Sequence, residues 1–435
     1  MAKSPASTDG RSHLRFVDIY LKKYPDTRYS LGEWKRYDGQ VWRSLADFSV
    51  RRECQMLCRS TGAGGLLITS TLVSSVYKLL QTEVFLSDDT FDQNSDLIAF
   101  ADKTLVVSTG EVRSHRASDY LTSHLPFTYN PQARSPDWEA VLTCTDRVNV
   151  PFLQEFAGYS LTPSTKHDVA VWSWGEPGSA KSTFIIGIEA VLGVRCCVLG
   201  LANLGNRFSL SQLPGKTLAI SSEQPSTFVH CFDILNALMS GDSVQIERKY
   251  MDAITVKLNA KILWAMNELP CVDSGPAAGL FRRVVPVRWN RVENPNPEVR
   301  ERVKQSGQAI FNWAYEGLKR LNQRGKFDIP ASLIADRESY QLQNDPIQVF
   351  LNETYNRLPE TTTSGKLNRV RCAIVYEKYK DWCSETSHKP ITSIAFAKEM
   401  RRLKVEKREI KGYPYFIGIG PKPAISSEMH VDVSI

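Results

Sequence analysis

Ten residues, GEPGSAKSTF from Gly175 to Phe184, join a glycine-rich turn to Lys-Ser-Thr directly after an apolar run. A turn of this kind receives phosphate groups on its backbone N–H groups and on the first turn of the helix that follows. The candidate cradle is Gly175, Glu176, Pro177, Gly178, Ser179, Ala180, Lys181, Ser182 and Thr183. Lys181 is placed to reach the β- and γ-phosphates of a nucleotide, and the Ser182 hydroxyl to ligate Mg²⁺. Ala180 stands where the pattern has its last glycine. Its methyl group fits if the residue takes ordinary helical dihedrals, and only a positive φ argues against it.

Hydrolysis needs an acid near the γ-phosphate at the end of a neighbouring strand. The run KTLAISSE offers Glu223 there, with Ser222 beside it, and an ordinary strand-end glutamate is the plain alternative. KILWAMNE ends a further strand in Asn267, which could orient water or sense the γ-phosphate. GLFRRVVPV puts Arg282 and Arg283 ahead of an apolar strand. An arginine in that position suits a phosphate on a neighbouring subunit, with a surface salt bridge as the alternative.

These residues need a scaffold. VAVWSW reads as a buried strand entering the turn, and AKSTFIIGIEAVLG as the helix leaving it, closed by Gly193. With the other apolar runs they predict a three-layer α/β nucleotide-binding domain over residues 146–325, with PFLQEFAGYSL as a helical lead-in. Residues 1–145 mix strand-like runs, helical patterns and turn signals, an α+β region. Residues 326–365, which include LPETTTSG, read as a helical linker, and 423–435 as a tail. Residues 366–422 give helix, helix and a hairpin turning at Lys411 to Tyr413, the order of a winged helix, with Lys398, Arg401 and Arg402 on the polar side of the second helix.

Charge supports that division. From Lys366 to Lys411 thirteen basic residues face six acidic ones, an excess equal to the net charge of +7 of all 435 residues. A basic module of this kind suits nucleic acid, or is simply a solvated face. The nine cysteines are scattered and form no disulfide framework, so reduced thiols are expected. Cys54 and Cys58 lack a second Cys/His pair with zinc spacing. No apolar stretch of membrane-spanning length and no signal-peptide core is present, which predicts a cytoplasmic protein that does not contact membranes.

The ordered set GEPGSAKSTF, LPGKTLAISSE, LMSGDSVQIERKYMDAITVKLNAKILWAMNELP and GLFRRVVPV resembles the helicase part of phage and plasmid primase-helicases. These are superfamily 3 ring helicases, to which the poxvirus primase-helicase also belongs. The resemblance covers most of residues 35–420. It implies a P-loop AAA+-like core with a collar-like region before it and a winged helix after it, with ATP and Mg²⁺ as cofactors. Lys181 and Ser182 would bind phosphate and Mg²⁺, Glu223 would polarise the attacking water near the metal, Asn267 would be the sensor, and Arg282 or Arg283 the finger acting in trans. Asp242 to Lys257 resembles the motif that builds a pore hairpin, where Arg248, Lys249 and Tyr250 would contact DNA. Read without the family, SVQIERK and AITVK alternate as two strands around residues 250–252, and Lys249 and Tyr250 suit a backbone phosphate and a base face. In many superfamily 3 proteins an acid stands where this chain has Ser222.

The expectation is an ATP-dependent DNA helicase of a phage, plasmid or integrated element. It would act on single-stranded or forked DNA as a homo-oligomer, a hexameric ring, beside a separate primase or polymerase. Many relatives carry a primase upstream. Here the family region begins close to the first residue, and the acidic run SDDTFDQNSD reads as a solvated loop, so no primase activity is expected. The alternatives are a P-loop small-molecule kinase and a DNA-binding initiator whose nucleotide site controls assembly only. The hairpin and the basic module speak against the kinase, and Glu223 with the arginine pair against the passive initiator.

Overall fold

A computed structural model describes residues 9–61, 68–87, 90–206, 208–224, 231–248, 251–270, 272, 278–293, 295–386 and 389–422. The chain divides into two compact units. The first runs to Pro270 and resumes over Gly279–Asp336, and the second combines Cys271–Ala278 with the chain from Arg337 onward.

The first unit opens on an α+β region. Helices Asp9–Lys23, Asp47–Thr61 and Ser70–Glu83 accompany an antiparallel sheet of Thr27–Ser30, Glu33–Tyr37 and Trp42–Leu45. Phe16, Tyr20, Trp34, Val50, Val76 and Leu80 form its core together with Cys54 and Cys58. Those two cysteines lie one turn apart on the inner face of one helix, are free thiols, and behave as small apolar residues. Burial pushes the Cys54 thiol up to about 12.

The α/β part of the same unit contains strand β1 (Ala170–Trp174), helix α1 (Lys181–Leu192), and strands β2 (Cys196–Val198), β3 (Leu218–Gln224) and β4 (Lys261–Met266). Helix α2 (Ala278–Arg283) and strand β5 (Val284–Arg288) complete it. The five strands are parallel, in the spatial order β5-β1-β4-β3-β2. Every residue of β4, the central strand, is buried, as expected for a parallel sheet covered on both faces. Helices Val150–Ser160 and Gly307–Arg324 join the same core through Phe152, Phe156, Phe311 and Leu318. Between β3 and β4 an antiparallel ribbon, Ser243–Arg248 with Met251–Lys257, pairs from Ser243↔Lys257 to Ile246↔Ile254 and, after a register shift, at Arg248↔Met251. Its tip, Lys249 and Tyr250, lies outside the described residues.

In the second unit, helix α3 (Cys372–Glu385) and helix α4 (Ser393–Arg402) are followed by a hairpin. The hairpin belongs to an antiparallel sheet of strands β6 (Arg369–Arg371), β7 (Lys407–Ile410) and β8 (Tyr413–Ile417), in the order β6-β8-β7. The turn uses Lys411 at φ 52° and Gly412 at φ 77°, the positive pair a tight hairpin requires. The stretch expected to link the units contributes to this core instead, because helix Pro346–Thr354 places Ile347, Phe350 and Leu351 against Tyr379, Phe396 and Phe416. Residues 423–435 lie outside the described chain. Among the described residues no helix is long and apolar enough to cross a membrane.

Candidate functional site

The glycine-rich turn connects the carboxyl end of β1 to the first residue of α1, Lys181. Gly175 has φ 143°, and a Cβ there would lie 2.3 Å from the Trp289 carbonyl oxygen, so no other residue fits without moving the chain after β5. That chain braces the turn. Trp289 donates its backbone N–H to Trp174 O at 2.8 Å, and Val292 donates to Gly178 O at 3.1 Å. Within the turn Ala180 takes φ 60°, ψ 4°. The condition under which the Ala180 methyl fits freely, ordinary helical dihedrals, is therefore not met: the residue occupies the left-handed position for which glycine is suited, at a cost of about 1–2 kcal/mol.

Lys181 is buried, at 6% exposure. Its ammonium donates to Gly175 O at 2.5 Å, Glu176 O at 2.8 Å and Ser179 Oγ at 2.8 Å. These partners are neutral oxygens, and burial lowers the lysine pKa. A buried cation solvated only by dipoles gains most from an incoming anion. The first turn of α1 adds to this, because its N-cap, Ala180, supplies no side-chain acceptor to the helical N–H groups. Lys181, the turn and the helix start thus fit a phosphate chain.

Ser182 Oγ donates to the Ser222 carbonyl oxygen at 3.4 Å, which brings the candidate Mg²⁺ hydroxyl against the end of β3. Glu223 follows, exposed, while Gln224 is buried with Oε1 accepting from Leu201 N–H at 3.1 Å. Asn267 is exposed one residue past β4, and β4 lies between β1 and β3. The turn, Asn267 and Glu223 therefore stand at the carboxyl ends of three adjacent parallel strands, the edge where open α/β sheets bind ligands. Among the described residues no group of three His, Cys, Asp or Glu side chains could hold a metal ion. Mg²⁺ commonly needs only one or two protein groups when substrate phosphates supply the rest.

The two arginines differ. Arg283 Nε donates to Asp168 Oδ2 at 3.2 Å, and its Nη1 to Gly279 O at 3.1 Å and Asn236 Oδ1 at 3.4 Å. Arg282 has its side chain exposed. In the second unit Lys398 and Arg401 are exposed on α4, but Arg402 is engaged by Asp345 and by Glu399. Arg402, expected to face a ligand beside Lys398 and Arg401, is exposed as they are, and its guanidinium also answers the buried Asp345 carboxylate, which requires a cation. Of the proposed hairpin contacts, Arg248 ends its strand, and Lys249 and Tyr250 fall outside the described residues. Sequence reasoning missed Trp289 and Val292, whose backbone shapes the turn, and Asp168 and Asn236, which hold Arg283. Backbone partners carry no side-chain signal, and a lone Asp or Asn is unremarkable until folding gives it a partner.

Three family models match the chain in order. Residues 14–147 match "D5 N terminal like", residues 174–283 a "Family of unknown function (DUF5906)", and residues 342–417 "Poxvirus D5 protein-like". The first and third matches indicate the D5-type family, to which this chain is similar at both ends. The glycine-rich turn, Glu223, Asn267 and α2 all fall within the middle match. Two apo structures of the NrS-1 C-terminal region share the fold. One aligns at TM-score 0.51 with 11% identity over 95% of this chain and 100% of that one. The other, its A form, aligns at TM-score 0.50 with 12% identity over 92% and 97%. No curated protein matches the sequence.

Proposed function

We propose that this protein is an ATP-dependent DNA helicase serving replication of a phage, plasmid or integrated element, and that it works as a ring-shaped homo-oligomer, a hexamer. The observation that carries the reading is the approach of Ser182 Oγ to Ser222 O, 3.4 Å, which joins the phosphate turn to the strand end bearing Glu223. In this reading the core is a P-loop AAA+-like ATPase and the second unit ends in a winged helix. Lys181 and the first turn of α1 hold the phosphates, and Ser182 supplies a ligand to Mg²⁺. Glu223 accepts a proton from the attacking water, which Asn267 orients. Arg282 reaches the phosphates bound by an adjacent subunit, a reading its exposure supports, with Arg283, which contacts Asp168, as the other candidate. The ribbon ending in Lys249 and Tyr250 grips single-stranded DNA.

The ATPase rate with and without single-stranded DNA, measured beside a sizing experiment, tests this. Stimulation by DNA in a hexamer-sized species is expected. DNA-independent turnover by a monomer would refute it.

A further inference from the structure

The sheet β6-β8-β7 has two unlike faces. Pairing partners share a face, so Val370↔Phe416 lies on one, where both residues pack into the core of the second unit. Arg371↔Tyr415 and Arg408↔Tyr415 therefore lie on the other, joined two residues along by Arg369 and Tyr413. This outer face holds three arginines and two tyrosines, with Ile410 opposite Tyr413 and the buried Ile417 opposite Arg369. The Arg371 guanidinium sits 4.0 Å from the Tyr413 ring centre and that of Arg369 4.7 Å from the Tyr415 ring centre. Arg408 is neutralised by Glu360 at 2.6 Å and Glu406 at 2.9 Å. Among the described residues Arg369 and Arg371 are exposed and pair with no carboxylate, and Tyr413 is 52% exposed.

We infer that this outer face binds single-stranded DNA, an inference that rests on the nucleic-acid role proposed above. Guanidinium planes stacked on aromatic rings offer flat surfaces to unpaired bases, and the same guanidinium groups donate hydrogen bonds to phosphate. A duplex hides its base faces and would use only the charge. The rings are held by the sheet and the arginines by the rings, so little side-chain freedom remains to be lost on binding. The surroundings carry the matching charge, thirteen basic against six acidic residues from Lys366 to Lys411. The face thus assigns a strand-holding role to the hairpin sheet and leaves Lys398 and Arg401 of α4 for other contacts.

Oligo-dT binding to the full chain, followed by anisotropy across a salt series, provides the test. Tyr413→Ala with Tyr415→Ala should weaken binding about tenfold or more, the loss expected for stacked bases. Arg369→Ala with Arg371→Ala should lower the log-log salt slope by about 1.4, for two single-strand phosphate contacts. Lysine at both arginine positions should keep the slope yet lose affinity, because charge remains and the planar surface does not. Tyrosine variants with unchanged melting temperature and unchanged oligo-dT affinity would overturn the inference. Should they fail to fold, an iodouracil oligonucleotide crosslinked to the unaltered chain decides: adducts on the tryptic peptide that begins at Gly412 support the face, and adducts only elsewhere overturn it. ATPase unstimulated by DNA, with the crosslink present, would sink the helicase reading and leave this surface standing.

Discussion

Arg283 Nε lies 3.2 Å from Asp168 Oδ2, while the adjacent Arg282 presents its side chain to solvent. The two neighbours therefore predict different phenotypes. Arg283→Ala should lower the melting temperature, because it frees the groups that anchor α2. Arg282→Ala should lose ATPase activity in the assembled protein. Mixed with Lys181→Ala subunits it should regain part of that activity, since some interfaces then pair two intact halves. Co-assembled mixtures with no recovery would argue against a finger in trans.

Lys181 and Glu223 separate binding from turnover. Lys181→Ala removes the buried cation beside the phosphate turn and should abolish nucleotide binding, read by titration with a fluorescent ATP analogue. Glu223→Gln keeps shape and hydrogen bonding but removes the proton acceptor. It should bind nucleotide normally and lose turnover by roughly 10²-fold or more. Normal hydrolysis by this variant would show that another group activates water.

Ala180 offers a test in the opposite direction. At φ 60° glycine is unstrained where alanine is not, so Ala180→Gly should stabilise the folded chain by up to about 1 kcal/mol after the greater freedom of glycine in the unfolded state is offset. Thermal unfolding reads this as a small rise in melting temperature. A clear fall would mean that Ala180 does not hold this conformation in solution.

Acid stability of the α+β region should follow Glu53. Burial raises its pKa, but hydrogen bonds from Arg36 at 2.7 Å and Tyr20 at 2.6 Å outweigh this and hold the carboxyl below the usual glutamate range. A carboxylate with a lowered folded pKa contributes stability at pH above its unfolded value, about 4.3, and loses it as pH falls through the folded value. Wild-type protein should therefore lose melting temperature on acidification below about pH 4.3 more steeply than Glu53→Gln, which should already be less stable at pH 7. Parallel curves would remove Glu53 from the acid response.

Alanine at both Lys249 and Tyr250 addresses the ribbon tip. The double variant should keep ATP binding and assembly but lose unwinding of forked DNA and the stimulation of ATPase by DNA. A stable variant that unwinds at the original rate would place the strand-gripping contact elsewhere.

The glycine-rich turn, its flanking strand and helix, the ribbon from Ser243 to Lys257 and the C-terminal hairpin could all be read from sequence. Each is local: the apolar period, the glycines and the Lys-Ser-Thr triplet lie within a few turns of one another, and pairing across a short loop follows from alternation. The strand-end positions of Glu223 and Asn267 followed from the same periodicity. What tertiary structure decided lies between residues far apart in the chain. Trp289 and Val292 brace the glycine-rich turn, Asp168 holds Arg283, Asp345 pairs with Arg402, and the stretch read as a linker contributes Phe350 to a core. None of these partners stands near its target in sequence. Local pattern reports which residues are apolar and where the backbone turns, whereas the fate of a charge or a constrained φ depends on what the folded chain sets beside it.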